Sequence, residues 1–164
     1  GGVQAALDGF AAAPHRLETV ATIAGVEYVN DSKATNVDAV RRGLESFERP
    51  VVLIMGGQDK GGDFRLLADA ARARGRALVL VGGARATIRA ALGGVLPVHE
   101  AVDMEDAVRR AAALAAPGDA VLLAPGCASF DRYANYLERG EDFRRAVGRL
   151  AGASAAATAK EPTR

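Results

Sequence analysis

Tryptophan is absent from this chain; cysteine occurs once, tyrosine three times, phenylalanine five times and histidine twice. Each shortage removes a class of answers. A single thiol, Cys127, allows no internal disulfide and suits a reducing compartment such as the cytoplasm. So few rings leave little for stacking nucleobases, and a net charge of +1 offers no excess for a polyanionic backbone, so nucleic acid is not an expected partner. No apolar run reaches the roughly 18 residues that span a bilayer, and the first residues lack the basic-then-apolar order of a signal peptide. Membrane insertion is therefore not expected. The two histidines, His15 and His99, have no metal-ligand spacing, so no metal site is expected in this chain. Two phosphate-binding signatures are missing as well. Gly56 and Gly61 have the spacing of a P-loop, but position 62 is Gly where Lys is needed, and no Gly-x-Gly-x-x-Gly follows a strand.

What is present is ordinary soluble material: 164 residues, 49% hydrophobic and 25% charged, enough for one domain with a proper core. Gly1 to Ala13 reads as the end of a helix followed by a linker. Leu17 to Ala24 alternates as a strand does, and Gly25 turns it into a second strand, Val26 to Asn30, giving a hairpin. Val37, Val40 and Leu44 mark one face of a helix over 37–46. Val51-Val52-Leu53-Ile54-Met55 is an unbroken apolar run, as in a strand buried on both faces. Asp63 is a cap for a helix reaching Arg74, which Gly75 closes. The cycle repeats with strands over 77–81, 98–101 and 120–124 and helices over 84–92 and 104–115. After Ser129, helical segments run to Leu150, and the Ala-rich stretch 151–164, lacking an apolar face, is expected to fray. Strands alternating with helices predict an α/β three-layer sandwich whose sheet is mostly parallel, with one antiparallel strand from the N-terminal hairpin. The glycines after the strands, Gly56-Gly57, Gly82-Gly83 and Gly126, allow sharp turns and close approach to a ligand at the carboxyl edge of the sheet.

Three loops at that edge carry chemistry. The first is Asn30-Asp31-Ser32-Lys33-Ala34-Thr35-Asn36, where a strand opens into a helix start with its unpartnered N–H groups. Taken singly, Thr35 or Asn36 is an N-cap and Asp31 a turn residue; the concentration of donors in seven residues points to function. The second loop, Gly56 to Phe64, sets Lys60 beside glycines. The third, Cys127-Ala128-Ser129-Phe130-Asp131, puts Ser129 at an expected helix start. Lys33, Thr35, Lys60 and Ser129 together predict a donor-rich cleft for a small dianion. Asp31, an acceptor among donors, suits a sugar hydroxyl pair or a protonated group. Arg16, just before the first strand, is a candidate phosphate contact.

At these residues the sequence resembles the ATP-dependent Mur ligases of peptidoglycan synthesis, and within them the D-glutamate-adding type. The resemblance runs from Pro14 to Leu150. It rests on Pro14-His15-Arg16, the heptad 30–36, Gly56-Gly57-x-Asp59-Lys60, Asp63-Phe64, Cys127-Ala128-Ser129-x-Asp131 and Arg139-Gly140. Lys33-Ala34-Thr35-Asn36 is the discriminating part, because relatives that add other amino acids have His- or Pro-containing versions there.

The resemblance implies a Rossmann-like C-terminal domain over 14–150, preceded at 1–13 by the end of a central domain and its linker and followed at 151–164 by a flexible tail. The opening Gly1, which is not Met, fits a piece of a longer protein. Members of the D-glutamate-adding type phosphorylate the terminal carboxylate of UDP-N-acetylmuramoyl-L-alanine with ATP, and the amine of D-glutamate then displaces phosphate. ATP and Mg2+ are held mainly by the central domain. Carried onto this sequence, Thr35 and Lys60 bind the α-carboxylate of D-glutamate. Ser129 binds the side-chain carboxylate, with backbone N–H groups near Phe130 and Tyr136. Arg16 and Asp31 reach ATP, and Lys33 lies near the reacting groups as the catalytic candidate. The expected whole is a cytoplasmic monomer whose isolated C-terminal domain is inactive. Without the resemblance, the residues equally fit a stand-alone module for an anionic metabolite or phosphosugar.

Overall fold

The computed structural model describes residues 14–160; the stretch 1–13, read above as the end of a helix and a linker, lies outside them. Among the described residues, six strands form one sheet in the order β1-β2-β6-β3-β4-β5. They are β1 (Glu18–Ile23), β2 (Val26–Asn30), β3 (Val51–Met55), β4 (Gly75–Leu80), β5 (Val98–Glu100) and β6 (Ala120–Leu123). Among the described residues, five α-helices join and cover them: α1 (Val37–Glu45), α2 (Ala68–Arg74), α3 (Arg85–Leu92), α4 (Met104–Leu114) and α5 (Tyr136–Lys160). Only β1 runs antiparallel to its neighbour, β2; the other pairings are parallel. The predicted architecture is the one observed.

The apolar run of β3 explains the layering. Side chains of a strand alternate between faces. Val51, Leu53 and Met55 therefore enter one core with Val40 and Leu44 of α1, Ala70 of α2, and Ile88 and Leu92 of α3. Val52 and Ile54 enter the opposite core with Met104, Ala107 and Val108 of α4 and Phe143 and Val147 of α5. With both faces covered, a polar side chain anywhere in β3 would lack a partner.

Element ends differ from expectation where capping or composition decides. Ala24 and Gly25 both have positive φ (52° and 81°), the conformation of a two-residue hairpin turn. A bulge between Thr19 and Ala21 breaks the alternation of β1, so Val20, Ala21 and Ile23 all pack on the second core. Asp63 caps a 3-10 turn, Phe64–Leu67, before α2 begins, and its carboxylate accepts from Arg65 N–H. Gly75 is no left-handed cap. Its backbone is extended, and a Cβ there would stand 2.5 Å from Leu96 Cδ1 and 2.6 Å from the Ala71 carbonyl oxygen. Finally, α5 continues through Lys160, past the predicted end near Leu150. The alanines that deny this stretch an apolar face also give it high helix propensity.

Candidate functional site

Cross-bonds between backbones assemble the carboxyl edge of the sheet. Gly126 N–H donates to the Ala34 carbonyl at 2.8 Å, joining the third loop to the heptad. Gln58 and Ala128 exchange two bonds, of 2.9 and 3.0 Å, joining the third loop to the second. The glycines serve these approaches. A Cβ on Gly56 would lie 1.8 Å from the Val81 carbonyl oxygen, and one on Gly57 would lie 2.4 Å from that of Ala128. On Gly82 it would lie 2.7 Å from Asp131 Oδ2. The close neighbours that require glycine at these turns are thus the protein's own atoms, where the sequence reading expected a ligand. Asp131 accepts from Gly83 N–H at 3.1 Å and so braces the Ser129 loop against the turn after β4.

Two adjoining hollows open at this edge. The first, of about 340 Å³, is lined by Arg16, Asp31, Lys33, Asn36, Arg42 and Gly43 among others. The second, of about 440 Å³, is lined by Thr35, Asn36, Asp38, Arg42, Lys60 and Gly126 among others. The structure therefore brings Arg16, Asp31 and Lys33 together in one hollow and Thr35 and Lys60 in its neighbour. Lys33 and Lys60 are exposed and Thr35 half-buried.

The third loop is placed differently from expectation. Ser129 is 3% exposed and does not line the second hollow. No α-helix starts at Ser129. Residues 129–135 form turns, and Asn135 caps α5 by accepting from Glu138 N–H at 3.0 Å, while Glu138 accepts from Ala134 N–H at 2.9 Å. Phe130 is 68% exposed. Tyr136 opens α5, and its carbonyl accepts from the Ser32 hydroxyl at 2.7 Å.

Asp31 is buried at the floor of the first hollow, with Oδ1 accepting from Leu17 N–H at 3.2 Å. Burial raises its pKa, against the opposite pull of the Leu17 N–H and of the Arg16 and Arg42 charges. The segment that delivers Arg16 is strained: His15 and Leu17 hold φ of 60° and 43°. Two bonds pin it to the heptad, Leu17 N–H to Asp31 and Lys33 N–H to the His15 carbonyl at 3.0 Å. His15 itself is buried. Asn30 Nδ2 donates to its Nδ1 at 2.8 Å, which leaves the ring proton on Nε2, 3.4 Å from Glu141 Oε1.

Sequence reasoning assigned no role to Arg139, yet this side chain ties the first loop to the third. It is 2% exposed and donates to the Ser32 carbonyl (2.9 Å), the Ser32 hydroxyl (3.1 Å) and the Cys127 carbonyl (3.0 Å). All three acceptors are uncharged, and burial pulls its pKa down to about 10, so it stays cationic at neutral pH. Burial also pushes the Cys127 thiol up to about 12, which removes it as a nucleophile. The position of Arg139 in a matching motif was the only signal the sequence offered. Among the described residues, no three His, Cys, Asp or Glu side chains gather to hold a metal ion, and no helix is long and apolar enough to cross a membrane.

A mostly parallel, Rossmann-like sheet with cation-bearing hollows at its carboxyl edge defines an α/β domain with places for small anions. The chain belongs to the Mur ligase family: the model described as "Mur ligase, glutamate ligase domain" matches residues 15–127. A UDP-N-acetylmuramoylalanine--D-glutamate ligase of Desulfosudis oleivorans is 56% identical over 149 residues, 91% of this chain and 32% of that protein. The ligase of the same name from Desulfatibacillum aliphaticivorans is 52% identical over 91% of this chain and 33% of its own length. The chain thus spans about a third of the length of the curated relatives it matches. Among solved structures, Mycobacterium tuberculosis folylpolyglutamate synthase, complexed with ADP and AMPPCP, shares the fold. Its TM-score is 0.56 at 16% identity, covering 92% of this chain and 33% of that one.

Proposed function

We propose that this chain is the amino-acid-binding domain of an ATP-dependent ligase that adds D-glutamate to UDP-N-acetylmuramoyl-L-alanine, a cytoplasmic step in peptidoglycan precursor synthesis. The supporting observation is the pairing of hollows: Thr35 and Lys60 line one, and Arg16, Asp31 and Lys33 line the other, with a shared wall. In this reading the Thr35 hydroxyl and Lys60 ammonium hold the α-carboxylate of D-glutamate. Ser129, one residue beyond the bridge that ties its loop to Gln58, receives the side-chain carboxylate with N–H groups near Phe130 and Tyr136. Arg16 takes an ATP phosphate, Asp31 accepts from the ribose hydroxyls, and Lys33 offsets charge on the reacting carboxylate and phosphoryl groups. The residues here suit the anionic and hydroxyl parts of ATP. They do not suit Mg2+, for which the described residues offer no ligand cluster.

What the domain contributes is aim. A dicarboxylate held at both ends presents its nitrogen to the acyl phosphate in one orientation, and positioning of this kind supplies roughly 7–11 kcal/mol of a barrier. The amine nitrogen then bonds to the acyl carbon and phosphate leaves, giving the amide. Because the phosphate-cradling P-loop is missing from this sequence, the site is completed by the remainder of a longer, monomeric protein closing over these hollows. The test is steady-state kinetics of the full-length protein. Thr35→Ala and Lys60→Ala are expected to raise the KM for D-glutamate about tenfold or more, with little change in the KM for ATP, as fits loss of a charge-assisted hydrogen bond. An unchanged D-glutamate KM in both variants would remove the proposed subsite.

A further inference from the structure

Among the described residues, Arg42 is the one cation that lines both hollows. It stands near the end of α1, and with Asn36, which also lines both, it forms part of the wall between them. Its side chain is 68% exposed, and its Nε lies 3.2 Å from Asp38 Oδ2. Asp38 has a second partner, Arg41, at 2.5 Å on its other oxygen. Exposed ion pairs of this kind contribute little, so an arriving anion can draw the Arg42 guanidinium away while Asp38 keeps Arg41. In the first hollow the guanidinium adds a third positive group to Arg16 and Lys33, opposite the single carboxylate of Asp31. In the second, where the carboxylates of Asp38 and Asp63 also line the wall, it joins Lys60 as one of two positive groups, and that hollow lacks Ser129 on its lining.

We propose that Arg42 is a further ligand-binding residue that contacts an anionic group of each substrate, a phosphate of the nucleotide and a carboxylate of the amino acid, from the wall they share. The inference rests on the reading of the two hollows given above. A guanidinium has five N–H donors arranged along more than one edge, so a single side chain can serve two oxyanions at once. A lysine ammonium at the same place carries the charge but not the two-edged fork. Gly43, next in the chain, lets α1 come close to Asp31: a Cβ there would stand 3.3 Å from Asp31 Oδ2 and 3.8 Å from both Leu17 Cδ2 and Leu122 Cδ2.

Arg41 is the built-in control. It carries the same charge one residue earlier, pairs with Asp38 and with Glu45 at 3.3 Å, and lines neither hollow. The experiment is steady-state kinetics and thermal unfolding of the full-length ligase with Arg42→Gln, Arg42→Lys and Arg41→Gln. Arg42→Gln is expected to raise the KM for both ATP and D-glutamate about tenfold with an unchanged melting temperature. Arg42→Lys should recover one of the two constants more than the other, and Arg41→Gln should move neither. An Arg42→Gln enzyme with both constants at wild-type values, or with the same changes as Arg41→Gln, overturns the proposal and leaves the D-glutamate reading intact. Loss of melting temperature in parallel with both constants also overturns it, since the role would then be structural. A wild-type enzyme that does not use D-glutamate overturns the underlying reading itself.

Discussion

Asp31 shows how the site is held at odds with its own solvation. Its carboxyl is buried and keeps one backbone N–H, that of Leu17, as a partner. Burial therefore outweighs the hydrogen bond and the two nearby arginines, and the folded pKa rises. With the folded value above the unfolded one, the native state binds the proton more tightly. The stability this gives is present below the ordinary carboxylate value of 3.8 and is lost as pH rises through the raised folded value. Asp31→Asn keeps an oxygen for Leu17 N–H and removes the charge. Urea unfolding of the chain from pH 4 to 7 should show the variant gaining on the wild type as pH rises, then holding a constant margin. A margin that shrinks with rising pH would mean that the ionised carboxylate is stabilised where it sits. The same substitution in the full-length protein is expected to weaken ATP use. Stability and ligand contact would then pull in opposite directions at one residue, as they commonly do at binding sites.

At the scale of elements, glycines separate turns that packing has closed from helix positions that remain open. Gly56 has φ of 130° and no room for a Cβ at the end of β3, whereas Gly148 and Gly152 sit in α5 with nothing within 4 Å. Gly56→Ala should lower stability by about 3 kcal/mol, through backbone strain and a collision with the Val81 carbonyl. Gly148→Ala and Gly152→Ala should each raise it by about 0.5–1 kcal/mol by narrowing the unfolded ensemble. Chemical denaturation of the three variants checks the order, and a stabilised Gly56→Ala would contradict the geometry at β3. The same division decides what could be read from the chain. The five apolar residues of β3, the amphipathic α1 and the hairpin turn are local patterns, and the sandwich followed from them. The helix expected at Ser129 failed because the capping side chain belongs to Asn135. Predicted fraying beyond Leu150 weighed apolar faces over alanine propensity. Loop chemistry was legible as residue types. The bond that brings two of those loops together, from Arg139 to Ser32, spans 107 positions, and no periodicity records it. Nor did any pattern mark Arg42, which looks like one more charge on a solvated helix face.

Taken whole, the described residues form a sheet that presents two open hollows on one edge, the first with three cations to one carboxylate and the second with two of each. Such an edge can hold anions, but holding is less than half of a ligation. To activate a carboxylate, something must grip the outer phosphates of ATP and exclude water from the acyl phosphate that results. The sequence has no Gly-rich phosphate loop with its lysine, and the described residues gather no metal ligands. Lys33 and Lys60 are exposed rather than enclosed, so their charges act through solvent and are weakened by it. The expected outcome is a sharp separation of folding from activity. The 164-residue chain should unfold cooperatively in urea and bind D-glutamate weakly. It should release no phosphate from ATP when D-glutamate, UDP-N-acetylmuramoyl-L-alanine and magnesium are all supplied. Raising the salt concentration should weaken what binding there is, because the attracting groups are solvent-exposed. Phosphate release that depends on D-glutamate from this chain alone would mean that the two hollows form a complete catalytic site, with no division of labour between this domain and the rest of a longer protein.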